Sequence, residues 1–144
     1  MYQLRKADSS DYDFVFNLNK AVYTDYIDYV FGGWDETFQR QFCDNRFKSG
    51  IQIISVEGND IGVLELIEKP DQIYLEEIQI DPGFQGRGLG TQIIKDIMDK
   101  AFESNCTVGL MVLKINDKAK RLYEGLGFTL TGETKTHYMM ECRN

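Results

Sequence analysis

Long apolar runs, paired cysteines, prolines and positive charge are all scarce in this chain. Nowhere in its 144 residues do 18 apolar residues follow one another, so no segment reads as a membrane-spanning helix. The opening residues Met1, Tyr2, Gln3, Leu4, Arg5 and Lys6 lead into polar sequence and lack the apolar stretch of a secretion signal. A soluble, cytoplasmic protein with no membrane partner is expected. Cys43, Cys106 and Cys142 are odd in number and far apart, without a CxxC pair, which argues against a disulfide framework and a zinc knuckle. His137 is the only histidine, so no metal site and no histidine-based nucleophile is expected. With only Pro70 and Pro82, and no repeat or Ser/Gly linker, no boundary divides the chain, and residues 1–144 read as a single domain. Sixteen Lys and Arg against 23 Asp and Glu give a net charge of −7, which opposes a phosphate backbone and excludes bulk nucleic-acid binding.

What is present is enough apolar material for a core, at 42% of residues, arranged in alternating α and β patterns. A short strand near Tyr2–Arg5 comes first. Asp8, Ser9 and Ser10 offer caps to a helix carrying Phe14, Val15, Leu18, Ala21 and Val22, interrupted by Gly32 and Gly33. Asp35 caps a second helix that should end near Gly50. Three strands then form an antiparallel meander over residues 51–56, 61–67 and 72–80, with turns at Gly58-Asn59-Asp60 and Lys69-Pro70-Asp71. A helix with Leu89, Ile93, Ile94, Ile97, Met98 and Ala101 on one face follows, then a strand over 107–113, a short helix over 117–125 and one or two closing strands. The fold class is α+β, and the strand-helix-strand crossover should make the 73–80 and 108–113 strands parallel.

The third strand of the meander changes phase. Ile73 and Leu75 are apolar at odd positions, Ile78 and Ile80 at even ones. One inserted residue, a β-bulge at Glu76-Glu77, would return all four to one face. Beyond it four glycines fall between Gly83 and Gly90. They let the backbone turn its amides toward one point at a helix N-terminus, which is a cradle for an anion such as a pyrophosphate. The dinucleotide fingerprint would need glycine where Thr91 stands, and the Walker ending is missing.

The stretch Gln85-Gly86-Arg87-Gly88-Leu89-Gly90 has the form Q/R-x-x-G-x-G/A, and Asn116, Ala119, Tyr123, Gly127 and Phe128 have the spacing N-x-x-A-x-x-x-Y-x-x-x-G-F. Together they resemble the two signatures of the GNAT superfamily of acyl-CoA-dependent N-acyltransferases, a resemblance that covers essentially the whole chain. It implies a mixed, mostly antiparallel twisted sheet with helices on both faces and a bulge before the glycine loop. It also implies an enzyme that passes an acetyl group from acetyl-CoA directly to a primary amine in a ternary complex. The alternative is a non-catalytic acyl-CoA-binding or regulatory module.

By the same resemblance Gln85, Gly86, Arg87, Gly88, Leu89, Gly90 and Thr91 hold the pyrophosphate, Ile78 and Ile80 pair with the pantetheine arm, and Asn116 contacts it or orients the acceptor. Tyr123 stands at the general-acid position, where a phenol of pKa about 10 can protonate a leaving thiolate of pKa about 8.5. The positions that carry a base in some family members hold Tyr74 and Met111 here, which leaves Glu77 and then Glu76 as candidates. Acidic residues cluster over 57–77 and again as Asp25, Asp28, Asp35 and Glu36 around Tyr26, Tyr29 and Trp34. With Glu77, these aromatics suit either a cleft for a small cationic amine or a surface shared by two copies of the chain as a homodimer.

Overall fold

The computed structural model describes residues 1–24 and 26–144 and leaves aside the side chain of residue 30. Strand β1 (Tyr2–Lys6) opens the chain. A single 3-10 turn, Ser9–Asp11, leads into α1 (Tyr12–Tyr23). The turn forms because the Asp8 carboxylate accepts from the Ser10 amide while Asp11 accepts from the amide of Asp8. Asp11 also accepts from Nη1 and Nη2 of Arg5, at 2.9 and 2.8 Å, which ties the helix entry to β1. The short α2 (Ile27–Phe31) precedes α3 (Glu36–Ser49), whose N-cap Asp35 accepts from the Phe38 amide at 2.9 Å. Gly50 closes α3, as expected.

The strands β2 (Gln52–Val56), β3 (Asn59–Glu68) and β4 (Gln72–Ile80) form the meander. After a second 3-10 turn at Pro82–Phe84 come α4 (Leu89–Glu103), β5 (Thr107–Leu113), α5 (Asp117–Gly125), β6 (Thr129–Glu133) and β7 (His137–Cys142). The hydrogen-bonded order of the sheet is β1-β2-β3-β4-β5-β7-β6. The β4/β5 pair is parallel, as the crossover required, and β1/β2, β2/β3, β5/β7 and β6/β7 are antiparallel.

The chain divides into two compact units. The first comprises Met1–Glu65 and Glu77–Leu89. Its core packs Val15, Phe16 and Leu18 of α1 and Cys43 of α3 on Ile51, Ile53 and Val63. The second comprises Leu66–Glu76 and Gly90–Asn144, with Ile93, Ile94, Ile97 and Ala101 of α4 buried together with Val108, Leu110 and Val112 of β5 and Met140 of β7. The division between the two units falls within β3, β4 and α4.

Two hydrogen bonds locate the phase change in β4. The Lys69 amide donates to the Gln72 carbonyl at 2.8 Å, and the Asp81 amide donates to the Ile61 carbonyl at 2.7 Å. Between these bonds β3 runs from Ile61 to Lys69 and β4 from Gln72 to Asp81, one residue further, so β4 carries one extra residue. The parallel ladder with β5 covers Gln72–Leu75 and Thr107–Leu110 and ends there, immediately before Glu76-Glu77. An inserted residue at that point puts Ile73, Leu75, Ile78 and Ile80 on one face and Glu77 and Gln79 on the other.

Candidate active site

The residues singled out in the sequence fall in both units, and each set has its own geometry. In the first unit Glu77 lies just past the bulge. The Tyr23 hydroxyl, at the end of α1, donates to its Oε1 at 2.7 Å and Oε2 at 2.8 Å. The Tyr26 ring meets Tyr23 edge-on, with centroids 6.2 Å apart. Tyr29 is exposed on α2. Trp34 turns inward instead: its ring stands edge-on to Phe16 at 5.8 Å, its indole N–H donates to Glu36 at 2.8 Å, and the Lys20 ammonium lies 4.8 Å from its ring centre. Trp34 thus packs with the α1/α3 core, while Tyr26 accompanies the Tyr23–Glu77 pair. Asp25, counted among the acidic cluster in the sequence, lies outside the described residues.

Tyr23 was not singled out in the sequence. The available signal was Asn19 and Tyr23, polar-tipped side chains four residues apart inside the otherwise apolar pattern of Val15, Leu18 and Val22.

After β4 the chain enters the glycine loop. Asp81 caps its first turn, accepting from the Gly83 amide at 2.8 Å. Gln85 reaches back to the Ile80 carbonyl at 2.9 Å, and Arg87 donates to the Gly83 carbonyl at 3.2 Å with its guanidinium 5.0 Å from the Phe84 ring centre. The Ile80 carbonyl, expected to pair with a pantetheine arm, thus already serves Gln85 with one of its two lone pairs. Gly86 at φ +77° and Gly88 at φ +79° sit in left-handed backbone, where other residues are strained. No atom lies within 4 Å of where a Cβ would stand on Gly86, Gly88 or Gly90, so the space above the loop is open. Among the described residues, the amides of Gly86 and Gly88 meet no acceptor. They precede the start of α4 in the chain, where the first amides of a helix lack helical partners. This arrangement can hold an anion of the size of a pyrophosphate.

In the second unit Glu76 is exposed at the bulge. Beside it Tyr74 is half-buried, and that burial, aided by the charge of Glu76, holds its phenol protonated to higher pH than usual. Met111, 38% exposed, faces Met139 across the β5/β7 ladder, and neither Tyr74 nor Met111 offers a carboxylate base. Asn116 is the N-cap of α5: its Oδ1 accepts from the Ala119 amide at 3.2 Å, which explains the asparagine. Tyr123 is 8% exposed, its ring 5.7 Å from that of Phe128, and its carbonyl accepts from the Phe128 amide at 3.0 Å. Lys114 and Lys120 bracket the Tyr138 ring at 5.4 and 5.0 Å. His137 in β7 is half-buried, and burial lowers its pKa. Among the described residues no three His, Cys, Asp or Glu side chains converge as a metal site would require.

Residues 19–128 match the model of the Acetyltransferase (GNAT) family. The chain belongs to this family. Over 85 residues it is 35% identical to the spermidine N(1)-acetyltransferase of Escherichia coli (strain K12), a match covering 56% of this chain and 46% of that protein. Over 60 residues it is 40% identical to the thialysine N-epsilon-acetyltransferase of Bos taurus, covering 41% of this chain and 35% of that one. The chain therefore spans between a third and a half of the length of these curated relatives. Its fold is shared by an acetyltransferase of Thermus thermophilus, with a TM-score of 0.79, 14% identity and coverage of 100% and 97% of the two chains. The spermidine N-acetyltransferase of Vibrio cholerae, solved with CoA and spermine, has a TM-score of 0.71 at 24% identity, covering 99% of this chain and 95% of that one. The two signatures that carry the family in the sequence are the glycine loop and the capped helix α5.

Proposed function

We propose that this GNAT chain is an N-acetyltransferase that moves an acetyl group from acetyl-CoA to a small, cationic primary amine by direct transfer in a ternary complex. The observation that supports it most is the glycine loop, with Gly86 and Gly88 in left-handed backbone and their amides unpartnered beneath open space. A diphosphate fits that donor set, because backbone N–H groups and the start of a helix both favour negative charge. Gln85, Arg87, Leu89, Gly90 and Thr91 complete the grip, and the backbone of Ile78 and Ile80 aligns the pantetheine arm. When bound, acetyl-CoA supplies the activated acyl group and a thiol leaving group.

The residues of the chain do the rest. Glu77, its carboxylate shaped by the Tyr23 hydroxyl, pairs with the ammonium of the acceptor and takes a proton from it, directly or through water. Glu76 is the reserve for that proton. Tyr26 and Tyr29 line the approach of the amine, and Trp34 supports them from the α1/α3 core. Tyr123 holds the proton that the departing sulfur takes, and Asn116 orients Tyr123 by starting its helix. The names of the relatives, spermidine and thialysine acetyltransferases, favour an amine acceptor of this kind. We place the protein in the cytoplasm as one transferase domain over residues 1–144, with exposed aromatics available to a homodimer and with neither nucleic acid nor membrane as partner.

Release of free thiol from acetyl-CoA across a panel of polyamines, lysine analogues and peptides tests the reading. Amine-dependent release is expected, and Tyr123→Phe should lower turnover about 10²-fold or more with coenzyme affinity unchanged. Coenzyme binding with no turnover across the panel would instead make the chain an acyl-CoA-binding module.

A further inference from the structure

Beneath the Tyr23–Glu77 pair runs a second connection between the same two elements. Gln79 follows Glu77 by two residues and so points to the same face of β4. Asn19 precedes Tyr23 by four and so lies one turn away on the same side of α1. Gln79 Nε2 donates to Asn19 Oδ1 at 2.8 Å. Helix and strand are thus joined by two rungs: an outer one that ends in the half-buried Glu77, and an inner one whose members, Asn19 and Gln79, are 5% and 1% exposed.

The inner rung has a direction. Arg46 of α3, itself buried, extends Nη1 to Gln79 Oε1 at 3.5 Å and Nε to Glu65 Oε1 at 3.3 Å. A guanidinium can only donate, so Gln79 must turn its oxygen to Arg46 and its amide nitrogen to Asn19, which must accept. The polarity is set from Arg46 outward. Apolar packing of Val15 and Leu18 holds α1 onto the sheet and the Arg5–Asp11 pair ties its entry to β1, but the apolar contacts are non-directional and the ion pair lies at the far end of the helix from Tyr23. Burying a polar chain where aliphatic side chains would pack as well is a poor way to gain stability. Its distinguishing property is that it fixes the Tyr23 end of α1 against β4, and with it the place of the Tyr23 hydroxyl over Glu77.

We propose that Asn19 and Gln79 are positioning residues for the Tyr23–Glu77 pair, with Arg46 setting their orientation. The consequence for catalysis rests on the reading of Glu77 as the partner of the acceptor amine. Asn19→Leu keeps the volume and removes the acceptor; should it not fold, Gln79→Leu serves in its place. In the structure of the variant, the Tyr23 hydroxyl is expected beyond hydrogen-bond distance of Glu77. Calorimetry with spermidine, in the absence of coenzyme, is expected to show about tenfold weaker binding, with acetyl-CoA affinity unmoved. Asn19→Asp, which retains the accepting oxygen, should restore both. Val15→Ala, a core truncation on the same helix, should lower the melting temperature without changing spermidine affinity. A Tyr23–Glu77 bond that survives Asn19→Leu intact overturns the positioning role, as does an equal loss of amine and coenzyme affinity. A bond that breaks while spermidine affinity stays the same leaves the positioning role in place and removes Glu77 as the amine's partner.

Discussion

Asn116 and Glu77 show how one side chain answers two demands. Asn116 starts α5 by accepting from the Ala119 amide, so its identity follows from helix capping before any coenzyme is considered. Glu77 accepts the Tyr23 hydroxyl on both its oxygens yet remains half-buried, not sealed, as the role proposed for it toward an amine requires. His137 offers a clean measurement because it is the only imidazole. Burial lowers its folded pKa below the ordinary 6.5, so between the two values the unfolded chain binds a proton that the folded chain refuses. Stability should therefore fall as pH drops through about 6.5 and level off once the folded-state pKa is passed. Its NMR titration is expected below 6.5, and His137→Asn should flatten the denaturation midpoint over that range.

At the scale of the element, the bulge in β4 separates the needs of packing from those of chemistry. Deleting Glu76 would bring β4 back into register with β3 and keep Ile73, Leu75, Ile78 and Ile80 on one face, so the apolar pattern would survive. The break in pairing would not. The deletion variant is expected to fold, with a melting temperature within several degrees of the parent, and to lose amine-dependent thiol release. A variant that folds and still turns over would show that the bulge is a packing accommodation only. The helices divide the labour similarly: α3 is held at its ends by Asp35 and Gly50, whereas α1 is tied at its entry by Asp11 to Arg5 and again in mid-helix by Asn19.

Across the whole molecule, the first unit buries an ion pair. Arg46 and Glu65 side chains are each 6% exposed, at 3.3 Å. Removing one member leaves a charge in low dielectric, so Arg46→Met should cost about 3–5 kcal/mol of unfolding free energy, whereas Arg46→Met with Glu65→Leu should recover most of it. Urea denaturation of the three proteins measures both; equal losses in the single and double variants would show that the pair contributes through packing alone. The pair also marks where sequence reading stopped. Most of the element order, the Asp35 cap of α3, the parallel crossover, the bulge and the glycine loop were legible, because each depends on local spacing, capping chemistry or alternation within one segment; the separate α2 was not, and Asp8 caps the 3-10 turn before α1 instead of α1 itself. Arg46, Glu65, Gln79 and Asn19 were not, because polar residues at helical or strand spacing read as solvent-facing until their partners, brought from 19 to 60 positions away, are known. Tyr23 was hidden for the same reason, its partner Glu77 lying 54 residues further on. The sequence by itself determined most of the helix and strand segments and the left-handed glycine turn before α4, since backbone geometry is a local matter. Only the tertiary structure decided that Glu77 meets Tyr23 and that Asn19, Gln79 and Arg46 are joined, since directional contacts between distant segments exist only once those segments have packed together.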